Sequence, residues 1–359
     1  VSLEGELRVR LALRDGRIAH VHLHSTRPDV AAALLQQRTA HELSAAVPRL
    51  FAVCGASQGV ACRLALAAAA GAAPDDAVLE QCSAEVANEI VRESSRRALL
   101  DAPRFIGEQP SDGAVRAARI AMQWQTPQCD SASALALALA VFGMPGNEWL
   151  GLDTPAALAA WIAAGRTATA RELQRLGDGD AAGRLAALLP ATPPAHVHEW
   201  LPEPLAETDF ARRPLWRGHP AETGALTRLQ ADPLVAALLG DDKARVLARH
   251  AARLRELAQL LRGERRTRAG VLDTPRGDGV AWVDNARGLL VHQVRLADGR
   301  AQAYRIVAPT EWNFHPDGPV PMALQGAPVA DAGDAQRLAR RLINSLDPCV
   351  VCHVETVDA

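Results

Sequence analysis

Six cysteines are spread over 359 residues, and three of them stand where sulfur chemistry is favoured. Cys349 and Cys352 bracket two residues in Asp347-Pro348-Cys349-Val350-Val351-Cys352, a spacing that lets both sulfurs converge on one soft metal ion. Cys54 closes Arg49-Leu50-Phe51-Ala52-Val53-Cys54 and precedes an alanine-rich run. A thiol just before a helix N-terminus feels the positive end of the helix dipole and gives up its proton more readily. Cys54 could thus supply a third sulfur to such an ion. By spacing alone, the terminal pair fits soft-metal binding, redox chemistry or two incidental thiols. Cys62, Cys82 and Cys129 have small apolar neighbours or nothing to mark them, and read as buried thiols.

The elements that must position these residues follow from hydrophobic period and punctuation. Leu7, Val9, Leu11 and Leu13 alternate with polar residues, Asp15-Gly16 supplies a tight turn, and Ile18 to Leu23 returns, so residues 1–25 read as a β-hairpin. Residues 29–263 read as mainly helical. Asp130, Thr154-Pro155 and Asp232-Pro233 open helices, Gly143, Gly165, Gly240 and Gly263 close them, and Glu80 and Glu85 precede Arg92, Arg96 and Arg97 as the helix dipole favours. Prolines 193, 194, 202, 204 and 214 predict an extended crossing between Pro190 and Pro220. Residues 279–316 form a second hairpin region around Asp298-Gly299, and 332–359 a last helix with a short Cys-x-x-Cys tail that can open. The expectation is a single α+β unit over 1–359, a central helical core with small antiparallel hairpins that can share one sheet.

Composition excludes several roles. Hydrophobic residues are 48% and charged residues 22%, ordinary globular usage. With 39 basic against 41 acidic residues the net charge of −2 gives no field for nucleic acid and no polybasic membrane anchor. No run of about 18 apolar residues is present to span a bilayer, and Val1-Ser2-Leu3-Glu4-Gly5 lacks the features of a signal peptide. The reading is cytoplasmic, where clustered cysteines more often mean metal or redox chemistry than a disulfide framework.

Six segments, in order, carry a resemblance. Asp347-Pro348-Cys349-x-x-Cys352 resembles the C-terminal signature of nickel-iron hydrogenase large subunits, and Arg49 to Cys54 resembles a worn version of their N-terminal cysteine motif. Leu3 to Val9 resembles the opening strand, and Trp216-Arg217-Gly218-His219 with Glu222 to Arg228 a mid-chain motif. Asp284 to His292 and Tyr304 to Asn313 resemble the two segments that wall the active site. The resemblance implies the large-subunit fold. It also implies that Cys54 and Cys352 are iron-binding thiolates, that Cys349 matches a nickel-only ligand, and that Arg287 and Thr310, which follows Pro309, match residues that contact the iron's cyanides. An Arg fork and a hydroxyl are suitable donors for cyanide nitrogens.

The departures point to one branch. Phe51 stands where the family has its other nickel ligand, Gln58 replaces a histidine, Arg27-Pro28-Asp29-Val30 lacks the proton-relay glutamate, and Glu355 replaces a metal-binding histidine. Only Thr356 to Ala359 follow Glu355, without the extension that catalytic subunits carry. The chain is similar to the HupK/HoxV accessory proteins. That similarity implies a non-catalytic scaffold that transiently holds iron as Fe(CN)2(CO), without nickel, and passes it to the apo hydrogenase large subunit together with a HypC-type small maturation chaperone. A divergent hydrogen-activating large subunit and a metal-free structural relative are the competing readings.

Other candidates read more simply. His20, His22 and His24 alternate on one strand face opposite Val21 and Leu23, so they point outward into solvent. His196 and His198 lie in the proline-rich stretch. His353 reads as a backbone hydrogen-bonding partner, and Arg262, Arg265, Arg266 and Arg268 as a solvated helix end.

Overall fold

Alternation at the N-terminus produces β1 (Glu6–Arg14) and β2 (Arg17–Ser25), with Leu7, Val9, Leu11 and Ile18 buried on one face. Asp15 and Gly16 take φ of 50° and 68°, the positive pair a tight hairpin turn requires. The computed structural model of the chain describes residues 5–26, 34–51, 53–126, 131–176, 185–190, 210–264, 267–274 and 277–358. Asp130, Cys129, Arg27 to Val30, His196, His198, Arg265, Arg266 and prolines 193 to 204 lie outside these residues.

Helices dominate the middle as expected. Those used below are α1 (Gly55–Ala69), α2 (Asp76–Arg96), α3 (Arg245–Leu261), α4 (Pro309–Asn313) and α5 (Ala332–Leu346). Thr154 caps the helix Pro155–Ala164 through Ala157 N at 3.2 Å, and Gly165 ends it at φ 57°. Asp232 caps Pro233–Leu239, and Gly240 ends that helix in a right-handed conformation instead. α2 continues into a five-residue π turn, Arg97–Asp101. Among the described residues no helix is long and apolar enough to cross a membrane.

α1 is buried on nearly every side, which its alanine-rich composition allows. On one side lies α2; on the other lies the sheet β5 (Ala269–Leu272), β6 (Asp278–Asn285), β7 (Gly288–Ala297) and β8 (Arg300–Val307), antiparallel in that order. β3 (Ala187–Leu188) and β4 (Ala221–Glu222) form a short separate pair. Contact between α1 and β6 is close enough that a Cβ on Gly279 would lie 1.9 Å from the Ala65 carbonyl oxygen. Asp298 and Gly299, at φ 53° and 72°, turn β7 into β8.

Two expectations are corrected. The hairpins do not share a sheet: β7 and β8 join β5 and β6, whereas the N-terminal hairpin sits in a second sheet of order β2-β1-β9. Each hairpin has one apolar face and meets its own helical cover, α1 for the four-stranded sheet, and α5 with the helix Pro319–Leu324 for the three-stranded one. Nor do the residues after Cys349 form an open tail. They form β9 (Val351–Asp358), parallel to β1, with Cys352 in register with Leu7 and Glu355 with Arg10.

Candidate functional site

Cys54 is the N-cap residue of α1 and makes no side-chain capping bond to it. The chain reaches it through a 3-10 turn, Val47–Arg49, packed so tightly that a Cβ on Gly55 would lie 2.6 Å from the Pro48 carbonyl oxygen. The helix end expected to favour a Cys54 thiolate is already engaged. Glu89 on α2 accepts from Ala56 N at 2.7 Å and Ser57 N at 3.2 Å, and it also bonds the Ser57 hydroxyl. Burial pushes the Glu89 carboxyl upward in pKa, against these bonds.

Cys349 and Cys352 are delivered by the end of α5. Asp347 caps that helix in the left-handed region at φ 51°, and Pro348 then prevents continuation, so Cys349 lies in the turn and Cys352 in β9. Thr310 Oγ1 stands 3.1 Å from Cys349 Sγ. Pro309, at the first position of α4, fixes the backbone that presents Thr310. Burial, with the neighbouring Cys349, pushes the Cys352 thiol up to about 12.

Arg287 joins the two ends of the chain. Asn285 Oδ1 accepts from Arg287 N at 2.9 Å and Gly288 N at 3.1 Å, a side-chain-stabilised turn between β6 and β7 that aims the guanidinium inward. Its NH2 donates to Glu93 at 3.3 Å and its Nε lies 3.6 Å from Asp347. Burial opposes its charge, but Asp347, Cys349, Glu93 and Cys54 together hold it above its ordinary range. Through Asp347 this guanidinium is tied to the segment that carries Cys349 and Cys352.

Behind it lies an ionic cluster. Arg97 donates to Glu172 at 3.1 Å and bonds Asn344, while its Nε is 3.5 Å from Asp347. Arg253 donates to the Ser345 carbonyl oxygen. Burial works against the Asp347 carboxylate, yet Arg287, Arg97 and Arg253 outweigh it and hold the group below its usual range. Cavities of about 30 and 20 Å3 flank Asp347. A cavity of about 980 Å3 opens elsewhere, between α2 and the end of α3, and among the described residues no cysteine lines it.

The resembling segments interlock around this centre. Glu222 accepts two bonds from Arg249 at 2.7 and 2.8 Å, and Arg228 pairs with Glu256 at 2.7 Å. Thr223 N donates to Asn313 at 2.8 Å, and Leu289 N donates to Thr223 at 2.9 Å. Gln58 Oε1 contacts His292 Nε2 at 2.7 Å, and His292 Nδ1 contacts the Tyr304 hydroxyl at 2.8 Å.

The structure thus places Thr310, behind Pro309, against Cys349 and ties Arg287 to Asp347, two residues before that cysteine. Among the described residues no three His, Cys, Asp or Glu side chains already stand close enough to hold a metal ion. Cys62 and Cys82 are buried, as expected, and no disulfide joins the five described cysteines. His353 is exposed and lies 3.6 Å from Glu6. Sequence reasoning missed Glu89, Glu93, Glu172, Arg97 and Arg253. The available signal was the position of Glu89 and Glu93 one turn apart beside Val86 and Ile90, on the stripe of α2 that faces inward.

Residues 236–355 match the family model described as nickel-dependent hydrogenase. In fold the chain is similar to the reduced Ni-Fe-Se hydrogenase of D. vulgaris Hildenborough, with a TM-score of 0.62 at 16% identity over 94% of this chain and 95% of that one. It is 34% identical to the hydrogenase expression/formation protein HoxV of Cupriavidus necator, covering 98% of this chain and 96% of that protein. It is 32% identical to the hydrogenase expression/formation protein HupK of Azotobacter vinelandii, covering 99% and 100%. With its fold, its ordered motifs and its full length all matched, the chain belongs to the HoxV/HupK family of hydrogenase expression/formation proteins.

Proposed function

We propose that this chain is a non-catalytic accessory protein of hydrogenase maturation that holds an Fe(CN)2(CO) unit as cargo and passes it to the apo hydrogenase large subunit, with a HypC-type small chaperone as second partner. The observation that carries this reading is the Thr310 hydroxyl 3.1 Å from Cys349 Sγ, close to the buried Arg287, whose guanidinium pairs with Glu93 and with Asp347 at the helix end that delivers Cys349. Soft anionic sulfurs suit the iron, and the guanidinium and hydroxyl suit the cyanide nitrogens. Cys54 and Cys352 are the anchoring sulfurs in this reading and Cys349 an auxiliary one. Phe51 stands where a fourth thiolate would make a nickel site, so the hold is incomplete and the cargo can leave.

Infrared spectroscopy tests this on protein isolated without oxygen after co-expression with the maturation machinery. Cyanide and carbonyl stretching bands are expected in the wild type, absent in Cys54→Ala and Cys352→Ala, weakened in Cys349→Ala and shifted in Arg287→Lys, which keeps the charge but loses the fork. Equal bands in all the cysteine variants place the iron elsewhere, and hydrogen uptake by the isolated protein returns it to the enzymes.

A further inference from the structure

The histidine row on β2 takes no part in that site. His20, His22 and His24 are exposed, while Val21 between them is buried, so all three stand on the outer face of the three-stranded sheet. Cys352 is in register with buried Leu7, on the opposite face. The sheet order β2-β1-β9 makes β2 an edge strand; its start is covered, Ile18 N donating to the Ala327 carbonyl oxygen at 3.0 Å and Gly326 N to the Ile18 carbonyl oxygen at 2.8 Å, and among the described residues no strand pairs beyond it along His20 to His24. The rings of His20 and His22 lie side by side, 6.3 Å between centroids and tilted by 41°. Among the described residues none of the three side chains makes a hydrogen bond or ion pair, so the imidazole nitrogens serve no structural bond there.

The surrounding charges leave room for a cation. Across β1, His20 faces Ala12, His22 faces Arg10 and His24 faces Arg8. Arg10 is drawn away from β2 by Glu355 on β9 at 2.5 Å, and Arg8 is 3.6 Å from Glu6. Ala12, opposite His20, carries no charge; past it Arg14 faces Arg17 at the hairpin end, and Arg17 is engaged with the Gly326 carbonyl oxygen at 2.8 Å.

We propose that His20 and His22 form a two-imidazole surface site for a divalent ion of the nickel, copper and zinc group. Imidazole suits these borderline ions, whereas magnesium and calcium prefer oxygen ligands. Residues two apart on a strand project side by side from one face, and exposed side chains turn freely enough to bring ring nitrogens to the roughly 2.0–2.1 Å that zinc requires. Water completes the shell. The site is independent of the proposed iron cargo, because it lies on the other face of the sheet and uses no thiol.

Tag-free, full-length protein on immobilised Ni2+ tests this, since a resin-bound ion reaches surface imidazoles and not buried sulfurs. Wild type is expected to be retained and released by free imidazole, but not by excess Mg2+. His20→Asn/His22→Asn is expected to flow through with an unchanged melting temperature, and His353→Asn and Cys349→Ala/Cys352→Ala to be retained like wild type. Flow-through of the wild type, undiminished retention of the double histidine variant, or loss of retention in the cysteine variant each overturns the proposal. The last of these leaves the cargo reading untouched, so the two fail separately.

Discussion

His292 is enclosed between Gln58 and Tyr304, where burial alone pulls its pKa down to about 3. His250, buried beside Arg253, Arg97 and Arg249, is pushed down as well, by burial first and by these cations second. Both rings are neutral in the fold, while in the unfolded chain they bind protons below about pH 6.5. The unfolded state thus takes up protons that the fold refuses, so stability is lost as pH falls from about 6.5 toward the folded values and is unaffected above that window. The His292 ring contributes a loss of about 1.4 kcal/mol between pH 7.5 and 5.5, and His250 acts in the same direction. Urea unfolding at those two pH values is expected to show that loss, and His292→Gln to lose about 1.4 kcal/mol less than wild type over the same interval; an identical loss contradicts the buried neutral ring. At this scale the sequence displayed Cys54, Cys349, Arg287 and Thr310 through their motifs. It did not display the field around them, because Glu93, Arg97 and Asp347 come from different elements and meet only in the folded chain.

α1 and β6 show what elements contribute. The helix carries Cys54 at its start, and β6 runs against it with Gly279 at the closest approach. A methyl group there meets backbone and not a flexible side-chain tip, so β6 must move or α1 must shift. Gly279→Ala is expected to cost at least about 1–3 kcal/mol, the range of overpacked cores, and to speed alkylation of Cys54 by loosening the helix that presents it. Chemical denaturation and thiol labelling measure the two effects, and an unchanged labelling rate shows that α1 holds Cys54 without β6. The alternating strands β1, β2, β7 and β8 were legible from their period of two. β6 was harder to isolate because it is buried on both faces and reads as a continuous run, and β9 because its partner lies more than 340 residues away in sequence.

For the molecule as a whole, the proposed cargo role predicts which metal is held and how it leaves. If the broken nickel half of the site governs function, protein isolated without oxygen carries iron and essentially no nickel, and its infrared bands decline as the apo large subunit gains them. Phe51→Cys adds a soft ligand and is expected to slow that transfer. Nickel at one ion per chain by elemental analysis, or faster transfer in Phe51→Cys, reverses the argument. The closure of β9 onto β1 bears on that proposal: Cys352 is anchored in a parallel strand, so the proposed cargo would leave by ligand exchange at the sulfurs or by opening of that strand, not from a loose tail. By itself, the sequence determined the α+β class, the helical middle, both hairpin turns and the family, because these rest on local period, turn chemistry and ordered motifs. Only the tertiary structure decided that the hairpins belong to separate sheets, that Glu89 occupies the N-terminus of α1, and that Arg287 pairs with Asp347, two residues before Cys349. Those outcomes depend on which distant surfaces bury one another and which charges are desolvated together, and no local pattern in the chain encodes that choice.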